Sequence, residues 1–264
     1  MNEILIAVLV VGAIGLVVAV VLSFASVFFA VPVDERVEKL TEALPGANCG
    51  ACGYSGCSGY AQALSKGEAK PGACPVGGEA VAAELAAILG VEAQSQARTT
   101  ARVMCSGSCD NTGKRINYKG ITSCSAANQI LGGGGKCSYG CIGLGDCVSE
   151  CEYGAIKVCN GVAMVNESLC RSCKKCVLAC PKGLIEIVPV RSAAVLCSNH
   201  DKGVQTKGLC SIGCIGCMKC QKVCEHGAIK VDNFKASVDP QRCTLCGKCA
   251  EVCPKGVIKA AAPQ

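Results

Sequence analysis

Two stretches of the chain, residues 124–187 and 197–260, align without a gap at an offset of 73 residues, and 29 of the 64 aligned positions are identical. Cysteines anchor the alignment. The most regular part is the run C-x2-C-x2-C-x3-C-P, which occurs at 170–181 and again at 243–254. A duplicated unit with cysteines at such short, fixed intervals predicts metal clusters held in series along the chain.

Cysteine supplies 26 of the 264 residues, which leaves either a disulfide framework or a metal-binding framework. Disulfide frameworks belong to short exported chains. Three thiols within one loop suit coordination to a single inorganic core better than pairing with distant partners. Aromatic residues make up only 3% of the chain and Trp is absent, so bound clusters are expected to stabilise a small apolar core. Ligating thiols must be reduced, which predicts a reducing compartment.

The second repeat matches a two-cluster ferredoxin, in which the fourth cysteine of each run ligates the other cluster. Short strands are predicted at 227–231 and 257–258. The two predicted ligand sets are Cys214, Cys217, Cys220 and Cys253, and Cys243, Cys246, Cys249 and Cys224.

The first repeat departs from this pattern because Leu144 stands where the second repeat has Cys217. A missing thiolate would leave a cluster with three ligands, and Cys137, four residues before Cys141, is the hypothesised replacement. The predicted sets are therefore Cys137, Cys141, Cys147 and Cys180, and Cys170, Cys173, Cys176 and Cys151.

A smaller cysteine unit precedes the repeats. Helices are predicted at 33–44, with Asp34 as N-cap, at 58–65 and at 79–89, where Gly90 ends the last one. The spacing C-x2-C-x4-C-x16-C predicts one [4Fe–4S] cluster, although four thiols could also hold a structural zinc ion. The predicted ligands are Cys49, Cys52, Cys57 and Cys74.

Six cysteines remain outside these five sets: Cys105, Cys109, Cys124, Cys159, Cys197 and Cys210. A sixth cluster around Cys105, Cys109 and Cys124 is conceivable. Against it, Cys124 aligns with Cys197, and nothing like Cys105 precedes Cys197 at the same offset. The prediction is that these cysteines are small side chains near the clusters, since free cysteine is among the most buried residue types.

The N-terminal segment from Ile4 to Val31 contains 28 residues without charge or proline, enough for one membrane-spanning helix. A cleaved signal peptide is the alternative, but Met1-Asn2-Glu3 lacks the positive leader and the apolar run is long. An uncleaved anchor in the cell membrane is predicted. Because the clusters need reduced thiols, the rest of the chain is expected to face the cytoplasm.

Charge is unevenly distributed. Residues 101–264 carry 21 basic and 11 acidic side chains. One interpretation is internal compensation of anionic clusters, and the other is attraction of an acidic electron carrier. Nucleic-acid binding is not expected, because aromatics are scarce and the basic residues follow the cysteine loops. The lysines in question are Lys174, Lys175, Lys182, Lys219, Lys222 and Lys255.

No catalytic residues are predicted. The glycines at 132–135 lack the G-x-G-x-x-G spacing and a preceding strand, which excludes a dinucleotide-binding turn. His200 and His226 align with Ala127 and Tyr153 in the first repeat, so they are not expected to be ligands.

Four features of the chain occur together: the apolar N-terminus, the C-G-A-C-G-Y-S-G-C run at 49–57, the segment C-S-Y-G-C-I-G-L-G-D-C at 137–147 and the ferredoxin runs. With this combination the chain as a whole resembles the B subunit of the Rnf complexes. The resemblance implies a component of a membrane-bound ferredoxin:NAD oxidoreductase that exports sodium ions or protons. In that role the chain would accept electrons from reduced ferredoxin and pass them to membrane partner subunits, and flavin and NAD would bind to other subunits.

Two function classes stay open at this point. The alternative to ion translocation is a membrane-attached relay that reduces a regulatory or repair partner. A zinc or metal-storage protein is disfavoured by the alternating ligand pattern.

The expected fold is α+β, with about five [4Fe–4S] clusters per chain. The predicted divisions are a transmembrane helix at 1–32, a mostly helical cluster domain at 33–92, a linker and lead-in at 93–123, and tandem ferredoxin-like two-cluster units at 124–190 and 191–264.

Overall fold

The structure is a computed structural model that describes residues 2–28, 34–92, 97–130 and 132–259. Helices and strands are mixed within those ranges. The helices are α1 (Asn2–Phe28), α2 (Glu35–Ala43), α3 (Cys57–Ser65), α4 (Gly78–Leu89), α5 (Cys124–Gln129), α6 (Asp146–Ser149), α7 (Lys175–Ala179), α8 (Gly203–Leu209), α9 (Lys219–Val223) and α10 (Lys248–Glu251). The strands are β1 (Thr99–Val103), β2 (Ile156–Cys159), β3 (Val162–Val165), β4 (Ile185–Pro189), β5 (Ala194–Val195), β6 (Ile229–Asp232), β7 (Lys235–Val238) and β8 (Ile258–Lys259).

Helix α1 is apolar around its whole circumference. Its stretch Ile4–Ser26 has a mean hydropathy of 3.3, and none of its most apolar window is buried against the rest of the chain. A helix of that length and composition is long enough to cross a membrane. The end of the predicted span falls at residues 29–33, which lie outside the described residues.

The small domain is a three-helix unit. Asp34 caps α2 by accepting a 3.0 Å hydrogen bond from the backbone N–H of Arg36, which confirms the predicted N-cap. Helix α2 packs on α3 and α4, with Leu40 and Leu85 fully buried. The Tyr60 hydroxyl donates to Lys70 O at 2.6 Å and ties the loop before Cys74 to α3. This core therefore fixes the segments that carry the first cysteine group.

Each repeat contains an antiparallel hairpin, β2–β3 in the first and β6–β7 in the second. The predicted strands at 227–231 and 257–258 are present as β6 and β8. A second antiparallel pair accompanies each hairpin: β1 with β4, and β5 with β8.

Strand β1 lies in the segment that the sequence predicts as linker and lead-in. It joins the first unit because Val103 pairs with Ile185, just as Val195 pairs with Ile258 in the second unit. The next hydrogen bonds correspond as well: Met104 N donates to Leu184 O at 2.7 Å, and Leu196 N donates to Val257 O at 2.8 Å. The first unit therefore begins at β1, well before residue 124. Residues 93–96 lie outside the described part of the chain.

We expect the Leu40→Ala variant to lose about 2–5 kcal/mol of unfolding free energy in the small domain, because it opens a cavity between three helices. Hydrogen exchange of the α2 and α3 amides in the full chain measures this loss. The matched control is Val91→Ala, at a side chain that is 51% exposed, where a change below about 0.5 kcal/mol is expected. Equal exchange in the two variants would contradict the prediction.

Candidate metal centres

In the part of the chain that the structure describes, four cavities with empty volumes between ≈ 320 and ≈ 390 Å³ are each lined by four cysteines. Two belong to the first unit, one to the second, and one lies between the units. The lining sets are Cys151, Cys170, Cys173 and Cys176; Cys124, Cys141, Cys147 and Cys180; Cys214, Cys217, Cys220 and Cys253; and Cys105, Cys137, Cys197 and Cys210.

Two of these cavities contain the predicted sets unchanged, one in each unit. In the second unit's other predicted set, Cys243 and Cys246 lie close enough to raise the pKa of Cys249 electrostatically, in addition to the larger effect of burial. Cys224 packs against the same apolar cluster as Cys249. The structure therefore brings together the cysteines that the ferredoxin spacing groups.

The first unit differs from the prediction at one position. Cys124, rather than Cys137, lines the cavity with Cys141, Cys147 and Cys180. Cys137 lies in the cavity between the units instead. The cause is that α5 is held against the loop in which Leu144 replaces a cysteine. Cys124, the first residue of α5, therefore lies beside this loop. We therefore replace Cys137 by Cys124 in this candidate set.

Asp146 holds α5 in place. Its carboxylate accepts hydrogen bonds from Cys124 N at 2.7 Å, Ser125 N at 3.0 Å and the Ser123 hydroxyl at 3.0 Å. Burial raises the pKa of the Asp146 carboxyl, but these donors outweigh that effect and the pKa is lowered overall. The second repeat has Lys219 at this position and a cysteine at 217, so it needs no such anchor.

In the small domain, Cys74 is 8% exposed and accepts a hydrogen bond from Gly77 N at 3.4 Å. Burial raises the pKa of Cys74, and the nearby Cys52 and Cys57 thiols raise it further. Gly56 has φ +114°, and a Cβ there would lie 2.9 Å from Asn48 Oδ1, which itself accepts from Cys57 N at 2.8 Å. The loop thus depends on glycine for its approach to the Cys57 helix.

Cys49 lies at the border between this domain and the first unit. Its thiol lies near that of Cys173. Burial raises the pKa of Cys173, and the nearby thiols of Cys49, Cys151 and Cys170 raise it further. Lys174 Nζ donates to Ala51 O at 2.9 Å across the same border. The small domain's cysteine group therefore adjoins the cavity around Cys173.

The crowded thiols favour a cation. Burial raises the pKa of Cys176 to about 12 and of Cys147 to about 11, and neighbouring thiols add to each shift. Metal binding requires thiolates, so a cationic core in the cavity must supply the missing stabilisation. Within the described ranges, no three or more His, Cys, Asp or Glu side chains converge to hold a single metal ion. Four thiols around a cavity fit a polynuclear core better than one ion.

Backbone N–H groups point at several of these sulfurs. Ala101 N donates to Cys170 Sγ at 3.3 Å, and Leu184 N donates to Cys180 Sγ at 3.4 Å. Hydrogen bonds to ligand sulfur stabilise thiolates and tune the potential of a bound iron–sulfur cluster.

The other singled-out residues lie apart from these cavities. Cys109 is exposed, and Cys159 ends β2. His200 Nδ1 lies 3.3 Å from Asn233 O, and its ring packs edge-on against Tyr139. None of these contacts places a histidine among the thiols of a described cavity.

Four of the six lysines fall into two groups. Lys182 and Lys255, which are repeat counterparts, are half-buried and donate to Ser138 O and to Ser211 O. Lys219 and Lys222 on α9 are exposed. The first pair fits internal charge compensation, and the second remains available to an acidic carrier.

Comparison with protein families gives three matches, each to an iron–sulfur domain. A family described as an Fe-S cluster domain matches residues 44–76, a 4Fe-4S binding domain matches 163–186, and a 4Fe-4S dicluster domain matches 213–257. They cover parts of the small domain and of both repeats.

Relatives are similar to this chain over most of its length. The B subunit of the ion-translocating oxidoreductase complex of Methanosarcina acetivorans is 38% identical over 89% of this chain and 90% of its own length. The B subunit of the Na(+)-translocating ferredoxin:NAD(+) oxidoreductase complex of Acetobacterium woodii is 40% identical over 92% of this chain and 74% of its own. The B subunit of the proton-translocating ferredoxin:NAD(+) oxidoreductase complex of Clostridium ljungdahlii is 38% identical over 92% and 87%.

We expect the Asp146→Ala variant to exchange the amide protons of Cys124 and Ser125 about 10- to 100-fold faster, since hydrogen bonds to a charged acceptor contribute about 1.5–3 kcal/mol. Hydrogen-exchange mass spectrometry of the peptide spanning α5 measures this. Asp146→Asn is the matched control, because it keeps one acceptor oxygen and should fall between the variant and the unaltered chain. Unchanged exchange in Asp146→Ala would show that α5 is held by other contacts.

Proposed function

We propose that this chain, which belongs to the B-subunit family of the ion-translocating oxidoreductase complexes, is the electron-accepting component of a membrane-bound ferredoxin:NAD oxidoreductase. It accepts electrons from reduced ferredoxin and relays them to membrane partner subunits, and the complex couples this transfer to sodium-ion or proton export. One relative is named for sodium-ion translocation and another for proton translocation, and they are 40% and 38% identical to this chain. Flavin and NAD bind to those partner subunits rather than to this chain.

The group that performs the relay is the [4Fe–4S] cluster, which when bound takes up and gives away one electron at a time. The thiol-lined cavities and the buried, neutral thiols fit such a group. The proposed ligand sets are Cys49, Cys52, Cys57 and Cys74; Cys151, Cys170, Cys173 and Cys176; Cys124, Cys141, Cys147 and Cys180; Cys214, Cys217, Cys220 and Cys253; and Cys224, Cys243, Cys246 and Cys249.

The observation that carries the proposal is that successive thiol sets adjoin one another. Cys49 of the small domain is near Cys173, and Cys147 of one first-unit set is near Cys176 of the other. Side chains that hold redox groups must lie close together if electrons are to pass along the chain. A storage protein has no such requirement for order.

Helix α1 supplies the membrane attachment, with the remaining domains on the cytoplasmic side, where thiols stay reduced. Such an anchor brings the thiol-bearing domains next to membrane partner subunits. A relay that serves a regulatory or repair partner would need the same anchor, and co-purified flavin-bearing subunits with ferredoxin-dependent NAD reduction distinguish ion translocation from it.

The second unit offers the better docking site for an acidic carrier. Cys217 and Cys246 are both exposed, whereas most thiols of the predicted sets are buried or half-buried. Lys219 and Lys222 are exposed on the helix that follows Cys217. A carrier held by these lysines would lie directly over the exposed thiol.

The test is anaerobic stopped-flow mixing of the full chain in detergent with reduced ferredoxin, following the loss of cluster absorbance. We expect fast bleaching of the unaltered chain and a second-order rate constant reduced about 10-fold or more at low ionic strength in Lys219→Glu/Lys222→Glu, because long-range attraction governs encounter. Lys230→Glu, at an exposed position of β6, is the charge-reversal control.

Two results would contradict this assignment. Absence of bleaching in an iron-replete chain would mean that electrons arrive from another component of the complex. Equal slowing by Lys230→Glu and by the α9 double variant would move the docking site away from α9.

A further inference from the structure

The fourth thiol-lined cavity belongs to none of the five proposed ligand sets. It is lined by Cys105, Cys137, Cys197 and Cys210, and its empty volume of ≈ 390 Å³ is close to the ≈ 320–370 Å³ of the other three. Two of its cysteines come from the first unit and two from the second. The cavity therefore lies where the two units meet.

The four cysteines form two structurally equivalent pairs. Cys137 and Cys210 correspond through the repeat offset of 73 residues. Cys105 lies two residues after Val103, the strand partner of Ile185, and Cys197 lies two residues after Val195, the strand partner of Ile258. Because Ile185 and Ile258 are repeat counterparts, Cys105 and Cys197 occupy equivalent positions. The gapless alignment conceals this second correspondence by pairing Cys197 with Cys124. Each unit thus contributes one equivalent pair of cysteines, and the two pairs face each other across the cavity.

The surroundings of the sulfurs repeat in the same way. Cys141 N donates to Cys105 Sγ at 3.4 Å, and its counterpart Cys214 N donates to Cys197 Sγ at 3.3 Å. A Cβ at Gly107 would lie 3.6 Å from both Cys105 Sγ and Cys210 Sγ, so those two sulfurs are at most twice that distance apart. Sulfurs from both units thus border a common space.

A buried polar side chain completes the site. Asn199, 1% exposed, donates from Nδ2 to Cys137 Sγ at 3.4 Å. Its Oδ1 accepts from Asp201 N at 2.6 Å, which fixes the direction of the amide. A donor buried and oriented in this way toward a sulfur is the arrangement found around metal-ligating groups.

Charge at the site suits an anionic group. Lys182 and Lys255 donate to the carbonyls of Ser138 and Ser211, each one residue after a cysteine of the cavity. Four thiolates on an oxidised [4Fe–4S] core leave a net charge of about −2, which two lysines of this kind can offset.

We propose that Cys105, Cys137, Cys197 and Cys210 ligate a sixth [4Fe–4S] cluster that joins the two ferredoxin-like units. On assembly, each thiol loses its proton as its sulfur displaces a labile thiolate ligand from one iron of a preassembled [4Fe–4S]²⁺ core, and the displaced thiolate takes up that proton, so no electron is transferred in the step. The inference rests on the proposed function only in that this chain binds such clusters.

The site lies between the two units. Cys105 adjoins Cys141 of a first-unit set, and Cys197 adjoins Cys214 of a second-unit set, through the N–H···S contacts above. The four cysteines of this cavity therefore lie between the first-unit set that contains Cys141 and the second-unit set that contains Cys214. The same four Fe–S bonds would also tie the units together mechanically.

The experiment measures iron and acid-labile sulfide in the full chain, assembled anaerobically in detergent, with Mössbauer and EPR spectra. The test variant is Cys137→Ala/Cys210→Ala, and the control is Cys109→Ala/Cys159→Ala, whose cysteines lie outside the cavity. We expect the test variant to lose about four iron and four sulfide per chain and the control to lose none. Equal iron in the two double variants would overturn the proposal.

A second measurement decides the matter if the test variant does not fold. The unaltered chain should contain about 24 iron atoms, all in [4Fe–4S] environments, and about 20 would overturn the sixth site alone. A chain without [4Fe–4S] iron would instead overturn the proposed function. As a check on Asn199, Asn199→Leu should keep the iron count and lower one midpoint potential, and an unchanged potential would remove Asn199 from the site.

Discussion

Crowding of thiols in small cavities is the interaction on which the rest of the molecule depends. Burial and neighbouring thiols raise the pKa of Cys147 and Cys220 to about 11, so these groups are neutral when no cation is present. A cationic iron–sulfur core reverses this by stabilising the thiolates. The apolar clusters of both units include these cysteines beside Ala, Val and Ile, so the same side chains line the proposed cluster sites and the apolar core.

The local grouping of the cysteines was predictable because cluster coordination within a loop needs a fixed spacing. The first three cysteines of the runs at 170–180 and 243–253 lie near one another as the ferredoxin pattern indicates, and the Asp34 cap is where the sequence places it. The sequence could not show which cysteine completes the group around the loop in which Leu144 replaces a cysteine. Cys124 and Cys137 are both upstream of Cys141, and only the contacts of Asp146 with α5 show which of them turns toward it.

The gapless repeat alignment was also misleading in one region. It pairs Cys124 with Cys197, whereas the strand partners of Ile185 and Ile258 make Cys105 the counterpart of Cys197. The stretch between β1 and Cys137 is longer than the stretch between β5 and Cys210, so no single offset aligns both the strands and the later cysteines of the two units. Strand pairing is non-local, and a short strand such as β5 gives little periodic signal of its own.

Joining the units through a shared site has a consequence for where electrons can be accepted. If the bridging cysteines bind a cluster, the thiol sets follow one another from Cys49 at the small domain to Cys246 at the exposed end of the second unit, with no set at a branch point. An acidic carrier at α9 would then meet the series within the second unit, and membrane partners near the small domain would meet its other end. On this proposal the duplication lengthens one path for electrons rather than providing two parallel ones.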